Sequence, residues 1–191
     1  MIYKDEETFD KINFTETHFE IGEYDRCTFV NCDFSHTDLS DCKFDECTFI
    51  RCNLSVVKLK LTALREVNFK DCKLLGLRFD DCNEFGLSVS FDTCVLNLSS
   101  FYKTRMIKTI FKNCQLKETD FTECDLTSAV FDNCDLSSAT FDHSNIEKAD
   151  FRTSYSYSID LENNKIKKAK FSYSGILGLL DKYDIEIDRA K

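Results

Sequence analysis

Apolar residues recur at every fifth position along almost the whole chain. With the central residue of each five designated i, all 15 such positions from Phe9 to Phe79 hold Phe, Leu or Tyr. From Phe91 to Phe171, 16 of 17 are apolar, with Ser156 as the exception. A period of five matches neither the 3.6-residue period of a helix nor the two-residue period of a flat strand. Repetition of this kind predicts an array of short structural units that stack on one another.

The residue at i−2 is the second regular feature. It is small at most repeats, and all eleven cysteines fall there: Cys27, Cys32, Cys42, Cys47, Cys52, Cys72, Cys82, Cys94, Cys114, Cys124 and Cys134. Positions i−1, i+1 and i+2 are mostly polar. The pattern therefore predicts that one large and one small residue of each five point inward, while the other three face water.

This pattern resembles that of the pentapeptide-repeat family, whose motif is a small residue, Asp or Asn, Leu or Phe, and two polar residues. "CDLTSAVFDNCDLSSATF", from Cys124 to Phe141, illustrates it, and the resemblance spans about residues 9–171. The resemblance implies an all-β fold: a right-handed quadrilateral β-helix of about eight coils, with four of the five-residue repeats in each coil.

Residues four repeats apart should then stack, and the sequence contains such columns. A phenylalanine ladder reads Phe9, Phe29, Phe49, Phe69, Phe91, Phe111, Phe131, Phe151 and Phe171. The step from Phe69 to Phe91 is longer than the others by two positions, so one coil has two extra residues. We place this register shift at residues 80–90, with Phe85 filling its corner of the core and Gly86 easing a bulge.

The C-terminal segment departs from the five-residue period. We predict a β-helix over residues 1–173 and a separate element over residues 174–191, made of a short helix and a strand at "YDIEI". Its apolar excess indicates a dimerisation element formed by Ile176, Leu177, Leu179, Leu180, Tyr183, Ile185 and Ile187. The alternative is a cap that folds back only on its own coil, because the end of a solenoid needs covering.

Composition narrows the function classes. The formal net charge is −9 and the pI about 4.9, which argues against direct nucleic-acid binding. The N-terminus has no leader-like apolar stretch and no apolar run reaches membrane-spanning length, so we expect no membrane insertion. Eleven cysteines without a secretion signal predict reduced thiols and a cytoplasmic protein.

Candidate catalytic chemistry is sparse. Successive cysteines should lie on different walls of the coil, so we interpret them as small core residues rather than metal ligands or disulfides. His18, His36 and His143 fall at outward positions, with no nucleophile and acid converging on them. There is no glycine-rich phosphate loop. We therefore expect a protein that is not an enzyme, with no catalytic residues, no cofactor and no metal site.

Charge is unevenly distributed. Residues 113–151 hold 9 acids and 2 bases, whereas residues 58–112 hold 6 acids and 10 bases. A rod with regularly spaced carboxylates can present a DNA-like potential to a basic groove, and the alternative is a solvated face. The candidate partner-binding residues, called here the acidic band, are Glu118, Asp120, Glu123, Asp125, Asp132, Asp135, Asp142, Glu147 and Asp150.

The tail "SYSGILGLLDKYDIEI" is similar to the end of the quinolone-resistance (Qnr) group of the family. That resemblance implies a homodimer joined through the C-terminus. It also implies a non-catalytic DNA mimic that binds a type II topoisomerase, DNA gyrase or topoisomerase IV, and modulates its activity or its quinolone sensitivity. The alternative is an interaction scaffold with a partner that is not a topoisomerase.

Overall fold

The computed structural model describes residues 1–188, which form a parallel β-helix. Its strands are β1 (Ile2–Asp5), β2 (Thr8–Asp10), β3 (Gly22–Asp25), β4 (Thr28–Val30), β5 (Lys43–Asp45), β6 (Thr48–Ile50), β7 (Ala63–Arg65), β8 (Val67–Lys70), β9 (Val89–Asp92), β10 (Ile110–Lys112) and β11 (Val130–Asp132). The described residues include no helix with the length and apolar character needed to cross a bilayer.

Four walls, named A to D in chain order, enclose the core. Wall A begins with the sheet β1-β3-β5-β7, and wall B is the sheet β2-β4-β6-β8-β9-β10-β11. Each strand pairs in parallel with the strand one coil later, as in Phe29↔Phe49 and Phe111↔Phe131. Walls C and D consist of isolated bridges, such as Asp33↔Asn53 and Arg78↔Ser100. The predicted four-repeat coil is therefore confirmed.

The phenylalanine ladder forms as predicted behind wall B. Adjacent rings along it are stacked, with Phe29 and Phe49 4.7 Å apart and Phe111 and Phe131 4.9 Å apart. A second column behind wall D packs edge-on against the first, as Phe101 does on Phe111 at 5.8 Å. From Phe79 to Phe141 the interior therefore contains two interleaved aromatic columns.

The small residue at i−2 also serves as a hydrogen-bond donor. The Cys52 thiol donates to the carbonyl of Phe29 at 3.3 Å. The hydroxyls of Thr62 and Ser144 donate to the equivalent carbonyls of Leu39 and Phe121 at 2.8 and 2.7 Å. Each donor reaches a backbone oxygen of the preceding coil. This shared hydrogen bond explains why Cys, Ser or Thr can occupy this buried position.

The corners have a repeated backbone conformation. At most repeats residue i+2 has a positive φ, such as 54° at Glu118 and 60° at Ser128. The preceding Asp or Asn at i−1 often accepts a hydrogen bond from the N–H of i+1, as Asp33 does from Ser35 at 2.8 Å. This Asx turn closes the corner locally and accounts for the Asp and Asn of the motif.

The two extra residues lie where the sequence predicts, but Phe85 does not fill the core. Its side chain is 77% exposed and lies 5.9 Å from the guanidinium of Arg65. Asn83 accepts the N–H of Phe85 at 2.9 Å, which turns the chain outward, and Leu87 packs against the core instead. Gly86, at φ +76°, provides the predicted bulge.

The C-terminal element differs in part from the prediction. Residues Ser174–Leu179 and Asp181–Tyr183 form 3₁₀ helices rather than an α-helix. The strand predicted at Tyr183–Ile187 is wrong, because Asp184 has a φ of 48° and residues 184–188 form no strand. The last three residues of the predicted element, 189–191, lie outside the described part of the chain.

The polar residue Ser156 interrupts the apolar repeat. There the next residue, Tyr157, takes the inward position instead.

Candidate protein-interaction surface

The acidic band is outward-facing, and its members lie on all four walls. None of the nine residues is buried. From their positions in the repeat, Asp125 and Glu147 lie on wall A and Asp132 and Asp150 on wall B. Asp135 lies on wall C, Glu118 at the corner between walls C and D, Asp120 and Asp142 on wall D, and Glu123 at the corner between walls D and A. The structure therefore does not bring the whole band onto one face.

One wall does gather a coherent acidic surface. Glu118, Asp120, Glu123 and Asp142 lie on or beside wall D, and the next coil adds Asp160 and Glu162, which the sequence analysis did not select. We call these six residues the wall D acidic surface. The six carboxylates lie on three successive coils. Because coils are spaced by ~4.8 Å, this is roughly one carboxylate per 2.5 Å along the rod. Duplex DNA has about one charge per 1.7 Å.

Nearby bases neutralise part of this charge. The Lys103 Nζ lies 3.5 Å from Glu123 Oε2. Lys182, in the C-terminal tail, contacts Asp160 at 2.6 Å and Glu162 at 2.8 Å. Glu118, Asp120 and Asp142 lie in no such ion pair among the described residues. Within the wall D acidic surface, these three carboxylates are therefore the ones most available to a partner.

Two of the remaining acids are held in ion pairs within the chain. Asp135 pairs with Lys117 at 3.2 Å, and Asp150 with Arg152 at 2.7 Å. Hydrogen bonds from Arg152, together with its charge and that of Lys170, lower the pKa of Asp150 to about 2. Asp120, Asp125, Asp135 and Asp150 also accept a backbone N–H of their own corner. Part of the negative charge of the acidic band therefore serves to hold the coils and their corners together.

The C-terminal tail leaves an apolar surface exposed. Ile176 and Leu177 are 43% and 40% exposed, and Tyr183, Ile185 and Ile187 are exposed as well. Tyr173, beside them, is the most exposed of all at 93%. Contiguous exposed apolar side chains of this kind are typical of an interaction site.

Two members of the predicted dimerisation set are used within the chain instead. Leu179 is buried against the last coil, and Leu180 is half-buried. The Ile159 N–H donates to the Gly178 carbonyl at 3.0 Å, which attaches the tail to the coil. A Cβ at Gly178 would lie 1.9 Å from the Tyr157 oxygen, so only glycine permits this close approach. The tail is both a cap and an exposed apolar surface.

A second apolar patch, midway along the rod, was missed by the sequence analysis. Val56, Leu75 and Leu98 are 49%, 37% and 56% exposed on neighbouring coils. Val56 and Leu98 occupy corner positions with φ of 57° and 61°, where an aliphatic, particularly a β-branched, side chain is unfavourable. The sequence does contain a signal for this patch, because these aliphatic residues stand at repeat positions that are mostly polar elsewhere in the chain.

The histidines are kept apart by the fold, and the cysteines are buried in its core. His18, His36 and His143 are exposed on different coils. All eleven cysteines are free and buried. Burial raises the pKa of the Cys47 and Cys124 thiols to about 12, so these side chains stay neutral. Their role is packing and hydrogen bonding to the preceding coil.

Comparisons with known proteins agree with this architecture. The model of the pentapeptide repeat region matches residues 22–84 and 87–171, with its interruption at the bulge. A trypsin-treated variant of QnrB1, a plasmid-mediated fluoroquinolone resistance protein, superposes with a TM-score of 0.62 at 17% identity, covering 98% of this chain and 99% of that one. HetL from the cyanobacterium Nostoc sp. strain PCC 7120, involved in heterocyst differentiation regulation, gives 0.58 at 14% identity, covering 90% and 86%.

The search of curated proteins found no match. The structural likenesses, at these identities, establish the fold alone. The family match covers most of the chain, in the same repeats that form the four walls. The chain belongs to the pentapeptide-repeat family.

Proposed function

We propose that this protein is a non-catalytic interaction rod whose wall D acidic surface binds a basic, DNA-binding groove of a partner protein. Among such partners we propose a type II topoisomerase, DNA gyrase or topoisomerase IV, with a consequent change in its activity or quinolone sensitivity. The proposal places the protein in the cytoplasm, where such a partner would be met.

The observation that supports this proposal is the charge density of the wall D acidic surface. Among the described residues, Glu118, Asp120 and Asp142 lie unpaired on two successive coils, and Asp160 and Glu162 continue the surface toward the C-terminal tail. Opposite potentials accelerate encounter and fix the register of a complex. A groove that binds duplex phosphates would therefore recognise this wall rather than wall B, where acidic and basic residues alternate.

Direct binding to purified gyrase at increasing salt tests the proposal. We expect an affinity that falls as salt rises, because exposed charges are screened beyond about 10 Å at 0.1 M salt. The variant Glu118→Gln/Asp120→Asn/Asp142→Asn should bind much more weakly, and Asn at position 120 can still accept the corner N–H. The matched control Asp125→Asn/Asp132→Asn/Glu147→Gln makes the same change in net charge on walls A and B. Equal weakening by both variants would refute a wall D site.

We further propose that the exposed tail joins two copies into a homodimer. Leu177→Asp should then lower the mass in solution, measured by sedimentation, because a charge would be buried in the seam. The control Ile21→Asp alters a residue of similar exposure, 47%, near the other end of the rod. A mass for Leu177→Asp equal to that of the unmodified protein at every protein concentration would assign the tail to capping alone.

A second candidate function has its own support. The mid-rod apolar patch of Val56, Leu75 and Leu98 fits an interaction scaffold for a partner that is not a topoisomerase. Substituting Val56 by Ser would distinguish the two, because Val56 lies three coils away from Glu118 in the same corner column, whereas Leu98 lies on the adjacent coil. The substitution should leave topoisomerase binding through wall D intact, but it should weaken the binding of a partner that docks on the patch.

A further inference from the structure

Wall B has an outer surface that is complementary to itself. One row of outward residues, at position i+1, reads Lys70, Asp92, Lys112, Asp132 and Arg152 on successive coils. The signs alternate strictly. The neighbouring row, at i−1, contains Ile110 and Val130, which are register partners and are 49% and 37% exposed.

We propose that wall B associates with wall B of a second copy, with the two rods antiparallel and a two-fold axis between the coils of Phe111 and Phe131. A two-fold axis lying in the interface keeps each row opposite the same row of the partner while reversing its direction. Ile110 then faces the partner's Val130. Lys112 faces the partner's Asp132, and Asp92 faces the partner's Arg152.

The corner between walls A and B extends the match. Glu66 lies at this corner with a φ of 52°, and Lys168 occupies the equivalent corner position five coils further along, with a φ of 63°. The same two-fold axis brings Glu66 opposite the partner's Lys168 at both ends of the contact. Neither residue has an ion-pair partner among the described residues. Both charges are therefore available to a second copy.

No like charges oppose one another on wall B in this arrangement, counting described residues between 66 and 172. A shallow groove also crosses the three successive coils of Phe69, Phe91 and Phe111. It is lined by Glu66, Asn68, Ser88, Ser90, Lys108 and Ile110. It faces the partner's Val130 and the partner's Lys148. The contact spans six rungs, or roughly 25 Å, and its centre combines the apolar pair Ile110 and Val130 with the ion pair of Lys112 and Asp132.

Some of these charges already pair along the rod, as Lys112 does with Asp92 at 3.5 Å. Their side chains remain 50% and 40% exposed, so each can also meet a group from outside. The lateral contact is independent of the tail seam proposed above, because it lies on a different surface. Its loss and the loss of the seam are therefore separable in experiment.

Charge exchange at the corner tests the lateral contact. The background is Leu177→Asp, in which the tail seam is removed, and sedimentation is followed over a range of protein concentrations. The background protein should convert from monomer to dimer as concentration rises. Glu66→Lys alone, or Lys168→Glu alone, should raise the dissociation constant roughly tenfold or more, because each change creates two repulsive contacts.

The double variant Glu66→Lys/Lys168→Glu should restore the original dissociation constant. The two residues lie roughly 24 Å apart in one rod, so rescue can arise only between copies. Ile110→Lys should abolish the dimer, whereas Leu98→Lys, on the opposite side of the rod, should leave it unchanged. A background protein that stays monomeric, or a double variant no better than the single ones, would overturn the proposal.

Discussion

Phe69 and Phe91 are stacked with their ring centroids 5.5 Å apart and their planes at 10°, although the coil between them contains the two extra residues. Phe91 and Phe111, separated by a coil of regular length, lie at 5.2 Å and 11°. The ladder therefore continues through the insertion without a break. The extra residues are expelled at the bulge around Phe85, because a shift of the register would misplace every inward side chain beyond it.

Replacement of Phe111 by Ala should destabilise the protein by about 3–5 kcal/mol, since the ring is fully buried between two stacked neighbours. Denaturant unfolding monitored by circular dichroism measures this change. Phe85→Ala is the matched control, and its exposed ring predicts a change within about 0.5 kcal/mol. Similar values for the two variants would contradict the assignment of core and surface.

Gly178→Ala should detach the tail from the last coil. The added methyl would meet the backbone oxygen of Tyr157, and overpacking of this kind typically costs about 1–3 kcal/mol. The measurement is hydrogen exchange at the Ile159 amide, which should lose its protection. Gly76→Ala serves as the control: a Cβ there makes only an ordinary 4.0 Å contact with Val56 Cγ2, so its positive φ alone is unfavourable, and exchange at Ile159 should not change.

Asp150 should make the stability depend on pH. Its folded-state pKa of about 2 lies below the ordinary value, so its contribution is present above about pH 4 and is lost as pH falls toward 2. Asp150→Asn retains the acceptor for the corner N–H but removes the charge. We expect a stability loss of about 1 kcal/mol or less at pH 7, since the partner Arg152 is exposed. In urea titrations that loss should shrink at pH 2.5. A difference in the free energy of unfolding between the two proteins that does not depend on pH would contradict the ion pair.

Most of the fold could be predicted from the sequence, because the five-residue period reports directly which residues face inward. The burial of all eleven cysteines followed from the period, and the stacking of Phe9 to Phe171 followed from the four-repeat coil that the family resemblance implies. Phe85 was placed wrongly since a period contains no information inside an insertion. There Asn83 forms a local turn, and Leu87, two residues after Phe85, reaches the core.

The interaction surfaces were less accessible to sequence reasoning. A linear run of acids from Glu118 to Asp150 passes around more than one full coil, so its members necessarily lie on different walls. The positions of Asp120, Asp142 and Asp160 within the 20-residue coil join them, whereas their order along the chain does not. The strand expected at Tyr183–Ile187 also failed, because alternating apolar residues form a strand only where a neighbouring strand can pair with them.

The central claim is that the wall D acidic surface binds a type II topoisomerase. Its most direct test is a gyrase supercoiling assay, with and without a fluoroquinolone, at several salt concentrations. We predict inhibition, or protection from the drug, that weakens with salt and is lost in Glu118→Gln/Asp120→Asn/Asp142→Asn but kept in Asp125→Asn/Asp132→Asn/Glu147→Gln. No effect of the unmodified protein at tens of micromolar, or equal loss in both variants, would contradict the claim.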